Sequence, residues 1–304
     1  MKMKIAFGVI LLVGCMSLSV HSADKRLKKH LINVLNENYA LILADSLINY
    51  DFLIFKTEVS NLNYKEFLWD LKQQGETDKW KRALVDSSKW SDSKWNNNAY
   101  VTHYHNHTAY NDYPVVNVSK ESAELYCEWL SEKVNNTLNE PYKIVFRLPI
   151  HKEWLKAARG TMEGAIYAWS GYRLQNTEGT YLCNCIALGS ECISRDSTGK
   201  YNVMKVDYDH LATPGNYADL TAPVKSYWPN GYGLYNMNGN VAELISDKEV
   251  VAGGSWNDPG FDVRNESVKR YEGAARTVGF RVVATIVPSE HAWLKVPKKK
   301  TSRE

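Results

Sequence analysis

The chain has 304 residues, 44% of them apolar and 23% charged, with 37 basic residues against 34 acidic ones. Enough apolar material is present to bury a large core, which excludes a largely disordered chain, and the near-neutral balance excludes the broad basic field that nucleic-acid binding needs. Ten Trp and nineteen Tyr point away from a helical bundle and toward a loop-rich domain, in which aromatic rings supply burial and their polar edges bond irregular backbone.

Met1-Lys2-Met3-Lys4 followed by the apolar run from Ile5 to Val13 has the charged and apolar regions of a signal peptide, and the run is too short to span a bilayer. It ends in Leu12-Val13-Gly14-Cys15, which is similar to a bacterial lipobox, so residues 1–23 are assigned as a leader with Cys15 as the lipidation site. Ordinary cleavage near Ala23 is the alternative, and both export the protein. With Lys2 and Lys4 removed, 35 basic residues face 34 acidic ones.

Residues 24–51 are a spacer, with Leu31, Ile32, Leu35, Leu41 and Ile42 at helical spacing. The domain is expected over 52–286, opening with a strand from Phe52 and a helix over Leu62–Leu71 capped by Asn61. A loop over Gly75–Asn98 carries Trp80, Trp90 and Trp95. With Tyr100, these are candidates for an apolar docking surface or for covering the core. Pro114–Ser119 reads as a strand whose last residue caps a helix over Lys120–Val134, and a further helix is expected near Lys152–Arg159. Short strands are expected around Val224, Val250 and Phe280, and 287–304 is a tail ending in a solvated basic run.

Cys127 sits in an amphipathic helical pattern and reads as a buried small hydrophobe. Cys183, Cys185 and Cys192 are close enough in sequence for one local disulfide, of open pairing, that leaves one thiol; zinc there lacks a fourth ligand. His103, His105 and His107 alternate, so a strand would place all three on one side, yet no carboxylate accompanies them at facial-triad spacing. Loop packing is the alternative role. No phosphate loop, Gly-x-Ser-x-Gly elbow or Ser-x-x-Lys pair is present to suggest a hydrolase.

Five segments, in order, carry a resemblance. They are Pro114–Ser119 with Tyr126–Leu130, Arg147-Leu148-Pro149 through Gly160, Asn230-Gly231-Tyr232-Gly233-Leu234 through Glu243, Gly253-Gly254-Ser255-Trp256, and Gly279-Phe280-Arg281. Together they resemble the formylglycine-generating, or sulfatase-modifying-factor, family. The resemblance implies an α+β fold, an elaborated C-type-lectin topology with little regular secondary structure, braced by structural calcium that takes oxygens irregular backbone leaves free. Carried over by position, Asn236 and Glu243 would bind calcium through side chains, and Gly239 and Val241 through carbonyls. A second calcium site would map onto Asn184 with the Cys185 carbonyl and Asn216 with the Ala218 carbonyl.

The family's enzymes hold copper with two cysteines a few residues beyond the Gly-Gly-Ser motif, since soft thiolates suit Cu(I). Here Asp258 stands at the first position and Val263 at the second, so copper-dependent formylglycine chemistry is not expected. His107–Pro114 and Asn176–Asn184 are similar to the gliding-motility lipoproteins of type IX secretion, although the long insertion those proteins often carry is missing between Asp247 and Val250. The resemblance implies a non-catalytic, lipid-anchored envelope protein, most readily at the outer membrane, that binds an envelope protein complex. The alternatives are a lectin-like module for glycan or another ligand, and a metal-dependent oxidoreductase of the same family.

Overall fold

A computed structural model describes residues 37–91, 98–138, 142–186, 193–203 and 220–288 of the chain. The helices are α1 (Asn61–Gln73), α2 (Thr77–Ala83), α3 (Asn98–His103), α4 (Lys120–Thr137) and α5 (His151–Arg159). The strands are β1 (Tyr39–Ile42), β2 (Phe52–Phe55), β3 (Tyr142–Arg147), β4 (Ile193–Arg195), β5 (Tyr201–Val203), β6 (Ala242–Leu244), β7 (Val250–Ala252), β8 (Val268–Arg270), β9 (Val278–Gly279) and β10 (Val283–Pro288). Helices and short strands share the chain with much irregular backbone, the α+β architecture expected from the sequence.

One antiparallel sheet has the order β1-β2-β10-β3, and its period-two alternation feeds two cores. Leu53, Ile144, Phe146 and Ala284 join Tyr64 and Phe67 of α1 and Tyr126 and Trp129 of α4. Ile42, Phe52, Ile54 and Val283 meet Trp154, Ala157 and Ala158 of α5 instead. On the first side the rings interlock, with Tyr64 stacked on Tyr126 at 5.9 Å and Phe67 edge-on to Tyr126 at 5.5 Å. Fully burying one such side chain contributes about 1.5–3 kcal/mol, so this cluster is a main anchor of the sheet. A second sheet, β8-β7-β6-β9, pairs β6 with β9 in parallel, and β4 with β5 forms a separate antiparallel pair.

Helix ends follow local chemistry. Ser119 caps α4 through its side chain, as the sequence suggests. Glu153 of α5 accepts the Ile150 N–H and a two-pronged bond from Arg147, and Gly160 ends that helix at φ 63°.

Four local expectations change. Tyr39–Ile42 is a strand paired with β2, because Tyr39 and Ile42 are needed on opposite faces of the sheet, so the helical spacer does not extend through Leu41 and Ile42. The cap of α1 is Ser60, and the Asn61 side chain turns inward to donate to the carbonyls of Tyr104 and Tyr110. Pro114–Ser119 makes a single bridge, Pro114 to Ser60, because Asn117 takes a left-handed φ of 60° that breaks extended pairing. No strand forms around Val224, whose N–H donates to the Asp112 carbonyl outside any ladder. Of the two roles open to Trp90, it takes that of covering core, fully buried against Tyr104 and Val116. Among the described residues, no helix is long and apolar enough to cross a membrane.

Candidate functional site

The segment from Asn236 to Glu243 runs through the centre of the molecule, and three left-handed residues shape it: Asn236 (φ 51°), Gly239 (φ 74°) and Asn240 (φ 63°). A Cβ on Gly239 would lie 2.2 Å from the Asn184 carbonyl oxygen, so only glycine permits that approach. The Asn184 carbonyl accepts the Asn240 N–H at 2.8 Å, and the Asn184 amide donates to the Leu220 carbonyl and to Asn240 Oδ1.

Glu243 lies on β6, 1% exposed, against an Arg281 that is wholly buried. Arg281 Nε lies 2.8 and 2.7 Å from the two carboxylate oxygens, Nη2 donates to Oε1 at 2.6 Å, and Trp154 Nε1 donates to Oε2 at 2.7 Å. Nη1 and Nη2 also donate to the carbonyls of Phe55 and Tyr235 respectively. A buried pair hydrogen-bonded in this way ties β2, β6 and α5 to the strand-like Gly-Phe-Arg segment.

Glu58 is the third member of this centre, wholly buried, with Asn240 Nδ2 donating to it at 2.8 Å and Asn236 Nδ2 at 3.2 Å. Burial, reinforced by the Glu243 charge and opposed by Arg281, pushes its carboxyl up to about 8. The Asn236 amide also faces the carbonyls of Pro223 and Val224 at 3.4 and 3.3 Å. Three oxygens thus face the Asn236 side-chain nitrogen, which is oriented toward them as a donor. The Glu243 half of the expected ligand set is less open, since an ion there would share the carboxylate with Arg281 and Trp154. In the second expected set, Asn184 and Cys185 are described and Asn216 and Ala218 lie outside the described residues, as do Cys15 and Cys192.

The stretch beyond Gly253-Gly254-Ser255 has no soft donor. Asp258 Oδ2 accepts from the Ser255 N–H at 2.9 Å and the Ser255 hydroxyl at 2.7 Å, while Oδ1 pairs with Lys269. It closes a turn. Val263 is fully buried beside Tyr167, Cys183 and Cys185, and its Cγ1 would meet a Cβ on Gly254 at 2.7 Å. Copper held at these two positions does not fit.

A cavity of about 560 Å³ opens next to this stretch, lined by Ile166, Phe261, Asp262, Glu266, Val268 and Lys269. Phe261 is 67% exposed, and the Arg264 guanidinium sits 3.6 Å over its ring.

The family model described as sulfatase-modifying factor enzyme 1-like domain matches residues 44–286. The chain belongs to that family. A formylglycine-generating enzyme of Streptomyces coelicolor is 31% identical to this sulfatase-modifying-factor-like chain over 170 residues, covering 55% of this chain and 41% of the relative. A protein of Bos taurus named inactive C-alpha-formylglycine-generating enzyme 2 is 30% identical over 156 residues, 48% of this chain and 40% of its own. Both matches span less than half of those relatives' length. Among solved structures, Treponema denticola variable protein 1 aligns with a TM-score of 0.45 at 20% identity, over 81% of this chain and 91% of that one.

The histidines of this domain do not converge as a strand would bring them. His103 ends α3 and is exposed, His107 is exposed and accepts the Ala109 N–H, and His105 is buried with Nδ1 on Asn61. Burial pushes the His105 imidazole down to about 4, which keeps it neutral. Among the described residues, no three His, Cys, Asp or Glu side chains gather where they could hold a metal. Cys127 is buried in α4, where burial raises its thiol, as the amphipathic pattern suggests.

Nothing local in the sequence singles out Glu58 or Trp154 as site residues, whereas Arg281 carries a signal, one charge between the apolar Phe280 and Val282.

Proposed function

We propose that this domain is a non-catalytic member of its family that acts as a structural or protein-binding component of the cell envelope. The observation that carries the reading is the chemistry at the two positions where the family's enzymes place cysteine. Asp258 is tied to Ser255 and Lys269, and Val263 is sealed in an apolar cluster. A carboxylate closing a turn and an aliphatic side chain supply neither nucleophile nor thiolate. The name of the inactive bovine relative is in keeping with this role.

The binding surface in this reading is the rim of the 560 Å³ cavity, where Phe261, Ile166 and Val268 are 67%, 45% and 43% exposed beside Arg264, Glu266 and Lys269. Exposed apolar groups ringed by charges suit a protein partner. The expected lipid on Cys15 would hold the domain at the membrane, and the similarity of His107–Pro114 and Asn176–Asn184 to gliding-motility lipoproteins makes a type IX secretion assembly the first partner to test. Calcium belongs to the proposal as a brace at Asn236 and the carbonyls of Gly239 and Val241.

The test has two arms. Incubation with copper and a cysteine peptide of a sulfatase should yield no formylglycine by mass spectrometry; turnover sinks the non-catalytic reading. Crosslinking in envelopes should capture the same protein with the wild type and lose it with Phe261→Ser; capture unaffected by that change removes this surface.

A further inference from the structure

Asn184, the residue clasped to the central segment, has a cysteine on each side. The backbone is pinned before, between and after them: Leu182 N–H donates to the Leu174 carbonyl at 2.8 Å, the Asn184 carbonyl accepts from Asn240 at 2.8 Å, and Ile186 N–H donates to the Asp258 carbonyl at 2.9 Å. Cys183 and Cys185 enter one apolar cluster with Tyr167, Val263, Trp169 and Leu174. Their sulfurs lie 3.6 Å apart, and the residues are only 2% and 7% exposed. The remaining described cysteine, Cys127, is buried in a different core.

We propose that Cys183 and Cys185 close into a disulfide as the domain folds, and that this bond locks the Asn184 clasp. Residues two apart in a fully extended chain have Cα atoms about 6.6 Å apart, inside the roughly 4.4–6.8 Å that a disulfide spans. The chain bends through Leu182–Cys185, which shortens that span further. Rotation about the two Cα–Cβ bonds then closes the gap between the sulfurs without moving the pinned backbone. A disulfide also suits its surroundings, since it carries no charge and no polar hydrogen, and the dry cluster around it needs neither counter-ion nor acceptor.

The oxidant is a small disulfide such as oxidised glutathione. The protein S–S bond forms as that of glutathione breaks, and two electrons and two protons pass from the two cysteines to two glutathione thiols. Exchange runs through a thiolate, which the closed cluster disfavours, so the bond forms while the cluster is open and resists reduction once it has shut. The expected export of the chain supplies a compartment where disulfides persist, and the bond does not depend on the protein-binding reading. Its consequence falls on Asn184, whose carbonyl lies where only a glycine at 239 permits it and whose amide reaches the Leu220 carbonyl and Asn240 Oδ1. A covalent ring across Asn184 removes freedom from the opened chain, so the clasp opens less often.

The experiment refolds the full chain, reduced in urea, into a buffer of reduced and oxidised glutathione, blocks free thiols with iodoacetamide, and maps the peptides by mass. Cleavage after Glu178 and Glu191 parts the pair from Cys192. The peptide between those cuts should be lighter by two hydrogens with neither sulfur alkylated, while Cys127 and Cys192 are alkylated. Cys192→Ser should give the same peptide. Dithiothreitol should open the bond at least tenfold more slowly in the folded protein than in urea. Hydrogen exchange of the Asn240 N–H, held by the Asn184 carbonyl, should be at least tenfold slower in oxidised than in reduced protein. That comparison uses the wild type, so no serine variant has to fold. Both thiols alkylated after refolding, or either joined to Cys192, overturns the pairing. Equal exchange at Asn240 overturns the lock, and equal reduction in folded and unfolded protein overturns the sealed site.

Discussion

The centre around Glu243 and the stretch from Asp258 to Lys269 are both rich in charge, yet their charges do opposite things. At the centre, Arg281 and Glu243 are sealed from water and each guanidinium nitrogen donates to Glu243 or to a backbone carbonyl. At the rim, Lys269 bridges Asp258 and Asp262 with 43% of its side chain in solvent, and Arg264 lies over an exposed ring. The first arrangement fixes the fold and tolerates little change. The second is a surface that can be rewritten, and a family member could lose its chemistry there while its framework stands.

The contrast breaks first at Arg281. Arg281→Leu leaves Glu243 buried without a counter-charge and should lower unfolding free energy by about 3–5 kcal/mol in urea titration, whereas Arg264→Ala at the rim should change it by less than about 1 kcal/mol. Equal losses would erase the distinction. Trp154→Phe keeps most of the ring volume and removes one donor to a buried carboxylate, so a loss of about 1.5–3 kcal/mol is expected by the same titration.

Glu58 sharpens the comparison through pH. Its folded carboxyl is held near about 8, against about 4.3 in an unfolded chain. Between those values the unfolded chain gives up its proton while the folded one keeps it, so stability falls as pH rises through the window and the cost is complete above 8. Glu58→Gln keeps the shape and should flatten the fall in melting temperature between pH 5 and 8; a parallel curve would place that slope elsewhere. Chelation gives a comparable readout. If calcium braces Asn236, EDTA should lower the melting temperature by several degrees and added calcium restore it, while an unchanged melt leaves Arg281 as the sole counter-charge of Glu243. A modest effect belongs to the rim: Asp258→Ala removes the acceptor that closes the Ser255 turn and should cost about 0.5–2 kcal/mol, with the far-UV spectrum unchanged.

Legibility in the sequence follows the range of the forces. Ser119 before an amphipathic run, and Gly160 after Ala157-Ala158-Arg159, mark helix ends because a cap acts within four residues. The Asn236–Glu243 motif announced its importance by its asparagines and glycine, whose left-handed angles are local properties. The partners of Glu243 were not legible, because Arg281 lies 38 residues away and Trp154 lies 89, and nothing local in either segment says that they meet. Tyr39–Ile42 fits a helix as well as a strand for a similar reason: apolar spacing over four residues suits both periods, and only β2 decides between them. The alternation of His103, His105 and His107 suits a strand, and the turn after α3 sends the outer two to solvent.

The amide of Asn184 donates to the Leu220 carbonyl, 36 residues away in the chain, at 2.7 Å and to Asn240 Oδ1 at 3.2 Å. One side chain therefore fastens two distant segments to each other and to the central one, and a change at that single position releases both attachments together.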